Sequence, residues 1–365
     1  MTYDLIVIGA GPGGCATAIT VARRGSSVLL LERGRYPRHR VCGEFVSAES
    51  LALLASLLSG DEQKLVDFAP RIPQARVFAD GSQLHFEVNP PAASISRYDL
   101  DRALWRSCSV AGADAREGRT VQAVEGEGPF AVTTTDGVFH ARSIVNAAGR
   151  WSFLTSFDTR TRASGERWIG VKRHFRETNP STSVDLYFFD GGYCGVQPVS
   201  SCAANGAGIV NASAMVRADV ATDLKDVLEL HPALRQRSRS WEPVIEQATT
   251  SPLAFHNPEP VQGKMLQVGD AATFVDPFIG DGISMALRSG GLAAECLEPF
   301  FQHVRSLEKA TVQYAELYSM RLAPVFRASS VLRKLLRIPS PIRRPAMSLL
   351  QHAPLITRQI VRMTR

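Results

Sequence analysis

The sequence predicts an α/β fold in which a parallel sheet carries a β-rich insertion and is followed by a helical C-terminal tail. The run Leu5-Ile6-Val7-Ile8 is apolar without alternation, which is typical of a parallel strand buried on both faces. The glycine-rich segment Gly9-Ala10-Gly11-Pro12-Gly13-Gly14 follows that strand directly. Near the other end of the chain, a predicted strand at 265–268 runs into a second glycine-rich segment at 269–283.

The first glycine-rich segment has the properties of a phosphate cradle. Gly9 allows a tight turn, Gly11 lets the backbone approach a diphosphate, and Gly14 lets the next helix pack closely on the strand. That helix is predicted over 15–24, so its free N–H groups and the positive end of its dipole face the phosphates. We therefore predict dinucleotide contacts at Gly9, Gly11, Pro12, Gly13 and Gly14.

Glu32 stands at the tip of the second predicted strand, 28–31. A carboxylate at this place can accept hydrogen bonds from both hydroxyls of an adenosine ribose, and it repels a 2′-phosphate. The cradle therefore favours FAD or NAD over NADP.

Composition is ordinary for a globular protein of two joined domains. The chain has 365 residues, of which 45% are hydrophobic and 21% charged. Its cysteines form no CxxC pair and its histidines no HExxH motif, so we expect neither a disulfide nor a metal. The first strand begins within a few residues of Met1, and no apolar stretch approaches the ~20 residues of a spanning helix. We therefore expect a cytoplasmic location.

The positive charge is concentrated in the C-terminal tail. The net charge is +6, yet residues 321–365 carry ten Lys or Arg and no Asp or Glu, which leaves 31 basic against 35 acidic groups elsewhere. This basic tail is either a solvated helical face or a contact with an anionic partner. The candidate partners are an acidic carrier protein, a peptide substrate or a membrane surface, and the last would make the protein peripheral to a membrane. No basic groove interleaved with aromatic residues is visible, so no nucleic acid is expected.

The remaining elements follow from periodicity and capping. Helices are predicted at 48–65, at 96–111 with Ser96 as N-cap, at 232–239 and at 283–300. Sheet is predicted at 76–87, at 131–138 with a turn at Asp136-Gly137, at 143–146 and through 168–215. We predict a discontinuous cofactor domain (1–70, 95–160 and 255–300), a β-sheet substrate domain (71–94 and 161–254) and a helical basic tail (301–365).

The second glycine-rich segment carries a family resemblance. Gly269-Asp270 followed by Pro277-x-x-Gly280-x-Gly282-Ile283 resembles the flavin-binding signature of the aromatic-hydroxylase and geranylgeranyl-reductase superfamily. Three further segments agree: Arg40-x-Cys42-Gly43-Glu44, Arg97-x-Asp99-x-x-Arg102 and Ala147-Ala148-Gly149. The resemblance covers residues 1 to about 300 and is nearest to the geranylgeranyl-reductase-like branch. It implies a Rossmann-like FAD-binding domain of the glutathione-reductase-like type.

The resemblance assigns the flavin end of the cofactor to the second segment. Asp270 would accept a hydrogen bond from a ribityl hydroxyl, and Gly280 and Gly282 would let the backbone pass under the flat ring. The N–H groups of Asp281, Gly282 and Ile283 would face the N1/O2 edge, where negative charge develops on reduction. The other predicted FAD contacts are Pro277 along the ring, Arg33, Arg40 and Arg102 at the pyrophosphate, Val121 at the adenine, and Cys42, Gly43, Ala148, Gly149 and Gly269.

Three residues are candidates for catalysis: Cys42, Tyr193 and Asp281. Cys42 matches the cysteine of the geranylgeranyl reductases, where a thiol near the flavin donates a proton or simply lines the pocket. Asp281 in an apolar pocket is either a poised acid or base or a solvent-facing side chain, whereas Asp276 is expected to cap a turn. The aromatic residues Tyr187, Phe189 and Tyr193 predict an apolar or aromatic substrate.

The reaction type is open between several readings. The reductases carry Tyr-x-Trp-x-Phe-Pro where this chain has Gly195 and Gln197 in place of Trp and Phe, which is expected to open and polarise the surface over the flavin. The hydroxylases often have Asp-Gly where this chain has Ala148-Gly149, so docking of NAD(P)H as the reductant is an open question. Halogenases of this fold use Trp-x-Trp-x-Ile-Pro, which is absent, and an active-site lysine, for which Lys172 is the one candidate near the pocket. We favour an FAD-dependent monooxygenase acting on a small or carrier-bound apolar substrate, then a C=C reductase, then a non-catalytic FAD-binding accessory protein.

Overall fold

The computed structural model describes residues 2–150, 154, 167–199, 207–250, 253, 257–274 and 280–327. Within these ranges the chain forms two β-sheets and eight α-helices, so the predicted α/β class is confirmed. None of the helices in these ranges is both long and apolar enough to cross a membrane.

The first sheet is parallel at its centre. Its described strands are β1 (Thr2–Ile8), β2 (Val28–Glu32), β6 (Asp114–Glu117), β7 (Val121–Glu125), β8 (Phe130–Thr134), β9 (Gly137–Asn146), β16 (Val261–Gln262) and β17 (Met265–Gln267). They lie in the order β16-β17-β9-β1-β2-β6, with β8 antiparallel to β9 and β7 antiparallel to β8. Leu5, Ile6 and Val7 at the centre of β1 are fully buried, in agreement with the unbroken apolar run.

Eight helices accompany the sheets. They are α1 (Pro12–Arg23), α2 (Ala48–Leu57), α3 (Lys64–Asp67), α4 (Arg97–Val110), α5 (Leu224–Glu229), α6 (Pro232–Ser238), α7 (Gly282–Phe301) and α8 (Leu307–Arg321). Helix α1 packs against both α4 and α7. Two side chains join the C-terminal helices to β17 and the turn after it: the Tyr314 hydroxyl donates to Gln267 O at 2.7 Å, and Gly269 N donates to Ser289 Oγ at 2.9 Å.

The second sheet is built from three separate parts of the chain. Its described strands are β3 (Phe45–Val46), β4 (Arg71–Ala79), β5 (Ser82–Ser94), β10 (Trp168–Thr178), β11 (Ser183–Phe189), β12 (Gly192–Pro198), β13 (Ala207–Arg217), β14 (Glu242–Pro243) and β15 (Ala248–Thr249). They lie in the order β14-β10-β13-β12-β11-β4-β5-β3, with β15 beside β10. Helices α5 and α6 supply Leu224, Val227 and Leu234 to the apolar core on one of its faces. The predicted domain boundaries stay a prediction; β3, for example, joins this sheet although it lies within 1–70.

Two predicted elements differ from the structure. The helix predicted at 48–65 ends at Leu57, where Leu58 turns to an extended conformation with ψ of 149°. A short 3-10 turn, Gly60–Gln63, and helix α3 follow it. The hairpin turns at residues 135–136 rather than at Asp136-Gly137, since Gly137 already pairs with Thr134. The Ser96 cap agrees with the prediction: its Oγ accepts a hydrogen bond from Asp99 N.

Candidate functional site

A cavity of about 890 Å³ lies at the carboxyl ends of β1, β2, β9 and β17, where the first sheet meets the second. Ligands of open α/β sheets bind at this edge, outside the strand ends. Nineteen of the predicted site residues line the cavity. They are Gly9, Gly11, Pro12, Gly13, Gly14, Glu32, Arg33, Arg40, Cys42, Gly43, Val121, Ala148, Gly149, Tyr193, Gly269, Asp270, Gly280, Gly282 and Ile283. Arg102 and Asp281 do not line it, and Pro277 and Asp276 lie outside the described residues.

In the cradle, Gly14 is closely packed as predicted, whereas Gly11 faces open space. A Cβ on Gly14 would lie 1.9 Å from the carbonyl oxygen of Gly9, so α1 can lie this close to the turn only without a side chain there. At Gly11 a Cβ would meet nothing within 4 Å, because the backbone there faces the cavity. The cradle thus leaves free the space that a phosphate needs beside Gly11.

Glu32 is buried at the tip of β2 and holds the cradle together. Its Oε2 accepts from Ala10 N at 3.0 Å, and its Oε1 accepts from Gly34 N and from Arg38 Nη2, each at 2.8 Å. Burial alone would raise the pKa of Glu32, but Arg38 and these donors lower it, so the carboxylate is ionised. A carboxylate accepts about four hydrogen bonds. Three of these acceptor positions on Glu32 are already occupied. Hydrogen bonds from both ribose hydroxyls therefore require the Arg38 guanidinium to move away from the Glu32 carboxylate.

The cavity wall carries an excess of positive charge. Six arginines line it against three carboxylates, which are Glu32, Glu44 and Asp270. Burial, and then the neighbouring guanidinium groups of Arg38 and Arg97, lower the pKa of Arg40. The Nε of Arg38 and an Nη of Arg150 are buried without a hydrogen-bond partner among the described residues. Buried donors and crowded cations of this kind are stabilised by a bound anion such as a diphosphate.

The prediction for Arg102 is not supported by its position. Its guanidinium lies 3.5 Å from Asp99 and is 38% exposed, and Arg97 lines the cavity in its place. Arg97 is held by Asp101 one turn later, with Nε to Oδ1 at 2.8 Å. Five positions along an α-helix amount to about 140° of rotation, so only one of the two arginines can face the cavity.

Asp270 and Arg150 face each other at the flavin end of the predicted site. Asp270 lies in a 3-10 turn, Gly269–Ala271, with its side chain 40% exposed and Oδ2 3.6 Å from Arg150 Nε. The Arg150 guanidinium stacks over the Phe274 ring at 4.0 Å. Burial is the main reason that the pKa of Arg150 is lowered.

On the substrate side, the strands of the second sheet present no charged side chain to the cavity, and the nearest cation to this wall is Arg150 over the Phe274 ring. Strands of the second sheet line it with small and apolar residues, among them Gly170, Ser213, Met215 and the 6%-exposed Tyr193, and Leu253 and Phe274 complete this wall. Tyr187 and Phe189 do not line it, because alternation along β11 directs them to the opposite face.

Gly195 and Gln197 do not polarise this wall, contrary to the expectation. The Gln197 amide is 2% exposed and donates to Ser94 Oγ at 2.6 Å, and Leu186 covers the position above Gly195. Neither residue lines the cavity. The Trp and Phe of the reductase motif are therefore replaced without adding a polar group to the substrate side.

Comparisons with known proteins agree with this architecture. A family model described as FAD dependent oxidoreductase matches residues 4–45. Over these residues the chain is similar to FAD-dependent oxidoreductases. One relative is a digeranylgeranylglycerophospholipid reductase of Methanopyrus kandleri, 28% identical with 81% of this chain and 76% of the relative covered. Another is a 1H-pyrrole-2-carbonyl-[peptidyl-carrier protein] brominase of Pseudoalteromonas luteoviolacea, 24% identical with 81% and 77% covered. The solved structure of a flavin-dependent brominase superposes with a TM-score of 0.78 at 19% identity, over 100% of this chain and 93% of the other, which shows the Rossmann-type fold.

The residues that line this cavity fit FAD. The open cradle at Gly11, the arginine excess and the unpartnered guanidinium nitrogens suit a dinucleotide diphosphate. Within the described ranges no three metal-ligand side chains cluster, and the absence of a metal stays a prediction. The roles of individual FAD contacts are likewise predictions, and variants test them.

Replacing Asp270 with alanine is expected to weaken FAD binding about tenfold, because a ribityl hydroxyl loses a charged acceptor. The half-exposed carboxylate contributes little to folding, so the free energy of unfolding should change by less than about 0.5 kcal/mol. Titration of the apoprotein with FAD, followed by flavin fluorescence, measures the affinity. Asp114→Ala is the control, since Asp114 is 38% exposed and outside the cavity lining. Equal affinity in the two variants would remove Asp270 from the site.

Asp281 is buried beneath the cavity rather than in it. It precedes α7, is 6% exposed, and hydrogen-bonds with Ser284 and Ser47. Burial raises the pKa of Asp281 to about 6. This position favours a role in holding the start of α7 over direct contact with a substrate, so catalysis by Asp281 stays an untested prediction.

The raised pKa of Asp281 makes the folded state bind a proton that the unfolded chain releases near pH 3.8. Stability therefore falls as pH rises from 4 to 6, and this group makes the protein about 1.4 kcal/mol less stable at pH 7.5 than at pH 5. Asp281→Asn should remove that difference. Urea unfolding of both proteins at the two pH values measures it, with the exposed Asp226→Asn as control. If the free energies of unfolding of Asp281→Asn and the parent differ by the same amount at both pH values, the raised pKa of Asp281 is contradicted.

Several residues at the site were missed by sequence reasoning. Arg38 holds Glu32, Arg97 replaces Arg102, and a buried cluster joins Glu44 to Lys172 and His174. For Arg97 a signal existed, because its pairing with Asp101 has the i, i+4 spacing of a helical ion pair. The Glu44 cluster left no local signal, since its partners lie 128 and 130 positions away.

Proposed function

We propose that this protein is a flavoprotein monooxygenase that hydroxylates an uncharged apolar or aromatic substrate. The observation that carries the proposal is the substrate wall. Met215, Leu253 and Phe274 line it, and Tyr193 is its one titratable side chain among the described residues. Such a wall admits an apolar guest and excludes water, which an oxygenating flavin needs in order not to lose its activated oxygen to solvent.

FAD, when bound, supplies the activation of oxygen, and the chain's residues supply the surroundings. The overall reaction consumes O₂, two electrons and two protons, places one oxygen atom on the substrate and releases the other as water. The electrons come from NAD(P)H or another reductant. Tyr193 can orient the substrate, and the N–H groups at the start of α7, beside Gly282 and Ile283, would stabilise negative charge on the ring edge.

Reduction of a C=C bond is the second candidate, and Cys42 favours it. Its thiol lines the cavity, and burial raises its pKa, so it stays protonated at neutral pH. A neutral thiol is suited to giving a proton to one carbon of a C=C bond when a hydride is added to the other carbon. The digeranylgeranylglycerophospholipid reductase among the relatives supports this alternative.

Halogenation is less well supported by the residues. Lys172, the candidate for a halogenase lysine, does not line the cavity and is fully buried in an ion pair with Glu44. The brominase relative nevertheless suggests the form of the substrate: its name specifies an acyl group on a peptidyl-carrier protein. An aromatic acyl group tethered to an acidic carrier fits an uncharged inner wall and the predicted role of the basic tail.

Rapid mixing of the reduced holoprotein with oxygenated buffer tests the proposal. A transient absorbance band before the oxidised flavin spectrum returns is expected for a monooxygenase, whereas direct return would contradict it. Phenols and carrier-bound aromatic acyl groups are then incubated under isotopically labelled oxygen, with and without bromide. Incorporation of labelled oxygen supports hydroxylation; a brominated product or reduction of an added C=C bond identifies the alternatives. If the reaction is C=C reduction, Cys42→Ser should abolish it; if the reaction is hydroxylation, the variant should keep its activity.

A further inference from the structure

Glu44 is an unusual residue in the wall of the cavity. It is fully buried and has a left-handed φ of 63°, which costs a residue with a Cβ on the order of 1 kcal/mol or more. A conformation of this kind persists only where its surroundings determine it. The carbonyl oxygen of Glu44 accepts from Ile95 N at 2.9 Å, and its own N–H lies 3.3 Å from Cys42 Sγ.

The carboxylate of Glu44 joins three elements. Its Oε1 accepts from Lys172 Nζ on β10 and from Arg97 N at the start of α4, the latter at 2.8 Å. Its Oε2 lies 2.8 Å from His174 Nε2. Burial alone would raise the pKa of Glu44, but Lys172 and His174 more than offset this and lower it. The side chain is therefore a buried anion with all its charge neutralised by fixed partners.

The rest of the same sheet face holds the segment before Glu44. Gly170, on the same side of β10 as Lys172 and His174, packs so closely that a Cβ there would lie 2.9 Å from Val41 Cγ1. On the adjacent strand β13, the Asn211 amide donates to the carbonyl oxygens of Cys42 and Gly43, both at 3.0 Å. Residues 41–44 of the loop 40–44 are thus docked on the second sheet.

We propose that Glu44 is a positioning residue: by anchoring the loop 40–44 to Lys172 and His174 it holds Arg40, Cys42 and Gly43 in the cavity wall and so sets FAD affinity and the accessibility of the Cys42 thiol. The loop lies between the cofactor cradle and the substrate wall, so its displacement changes both. This role does not depend on which reaction the flavin performs.

Asp185 provides a matched control. It is also fully buried in the second sheet, and it accepts from Arg76 Nε at 2.6 Å and from Arg237 Nη1 at 2.5 Å. Neither Asp185 nor its two partners line the cavity. Glu44→Gln and Asp185→Asn therefore each remove the carboxylate that neutralises buried cations. Only Glu44→Gln changes a residue of the cavity wall.

The test compares the two variants in the full-length holoprotein. FAD release is followed by flavin fluorescence, and alkylation of Cys42 by iodoacetamide is followed by peptide mass mapping. Glu44→Gln should weaken FAD binding about tenfold or more and speed Cys42 alkylation, while Asp185→Asn at similar stability changes neither. In Glu44→Gln/Lys172→Met, removal of both charges should restore stability but not FAD affinity.

Equal FAD affinity and equal alkylation in Glu44→Gln and Asp185→Asn would overturn the proposal, as would recovery of FAD affinity in the double variant. If Glu44→Gln does not fold, Asn211→Ala decides. It removes the two hydrogen bonds to the loop without leaving an unpaired charge, and it should weaken FAD binding and expose Cys42 in the same direction. Parental values for both measurements in Asn211→Ala would then reject the anchoring role.

Discussion

Replacing Gly290 with alanine is expected to lower the free energy of unfolding by about 3 kcal/mol and to weaken FAD binding. Gly290 lies in α7, where a Cβ would come within 2.2 Å of the carbonyl oxygen of Gly13 and 3.0 Å of Ala16 Cβ. The two helices meet at this point, and Thr17 Oγ1 donates to both Gly13 O and Gly290 O, at 3.0 and 3.1 Å. A methyl group would separate α1 from α7 and displace Gly13 from the cradle.

The adjacent glycine is the matched control for this prediction. A Cβ on Gly291 would meet nothing within 4 Å, so Gly291→Ala should gain up to about 1 kcal/mol from helix propensity alone. Urea unfolding measures the stability of both variants, and titration of the apoproteins with FAD measures affinity. If Gly290→Ala unfolds at the same urea concentration as Gly291→Ala, the prediction that the close crossing of α1 and α7 requires glycine at position 290 is wrong.

Replacing Gly11 with alanine should lower FAD affinity about a hundredfold, near 3 kcal/mol, while changing the stability of the apoprotein by less than about 1 kcal/mol. Gly11 is the N-cap of α1 with φ of −71°, which alanine adopts readily, and its Cβ would point into open cavity. The methyl group therefore disturbs only what binds there. A diphosphate that approaches the backbone at Gly11 would be pushed away from the N–H groups of α1.

Gly14→Ala in the same cradle should behave in the opposite way. Its Cβ would lie 1.9 Å from Gly9 O, so the apoprotein itself loses several kcal/mol. Unfolding of both apoproteins, combined with FAD titration of Gly11→Ala, separates the two effects. FAD binding of parental strength by Gly11→Ala would show that the cofactor backbone does not pass beside this residue.

The parts of the site that could be predicted are those encoded within a few residues. The turn at Gly9, the start of α1 and the carboxylate at the end of β2 follow from short-range geometry, because each depends on the residues directly beside it. The Ser96 cap was predictable for the same reason. The α/β class followed from the apolar run of β1, whose full burial needs cover on both faces.

The parts that could not be predicted depend on which side chains meet from distant positions. Nothing near Gln197 indicates that it turns to Ser94, 103 positions away, and nothing near Arg102 indicates that Arg97 faces the cavity instead. In each case the rotation of a helix or strand about its own axis decides which side chain faces the cavity. This rotation costs an isolated element little energy, but it becomes fixed once a neighbouring element packs against it.

The sequence by itself identified a dinucleotide cradle and a second glycine-rich segment in this chain and predicted that both serve one cofactor. Only the tertiary structure decided which residues line the cavity around these two segments. Contacts such as Thr17 with Gly290, 273 positions apart, and Glu44 with Lys172, 128 positions apart, join segments that the chain keeps far from each other. These contacts form because the groups are buried. A carboxylate or a backbone carbonyl that is removed from water needs a hydrogen-bond or charge partner, and the neighbouring element in the fold supplies it.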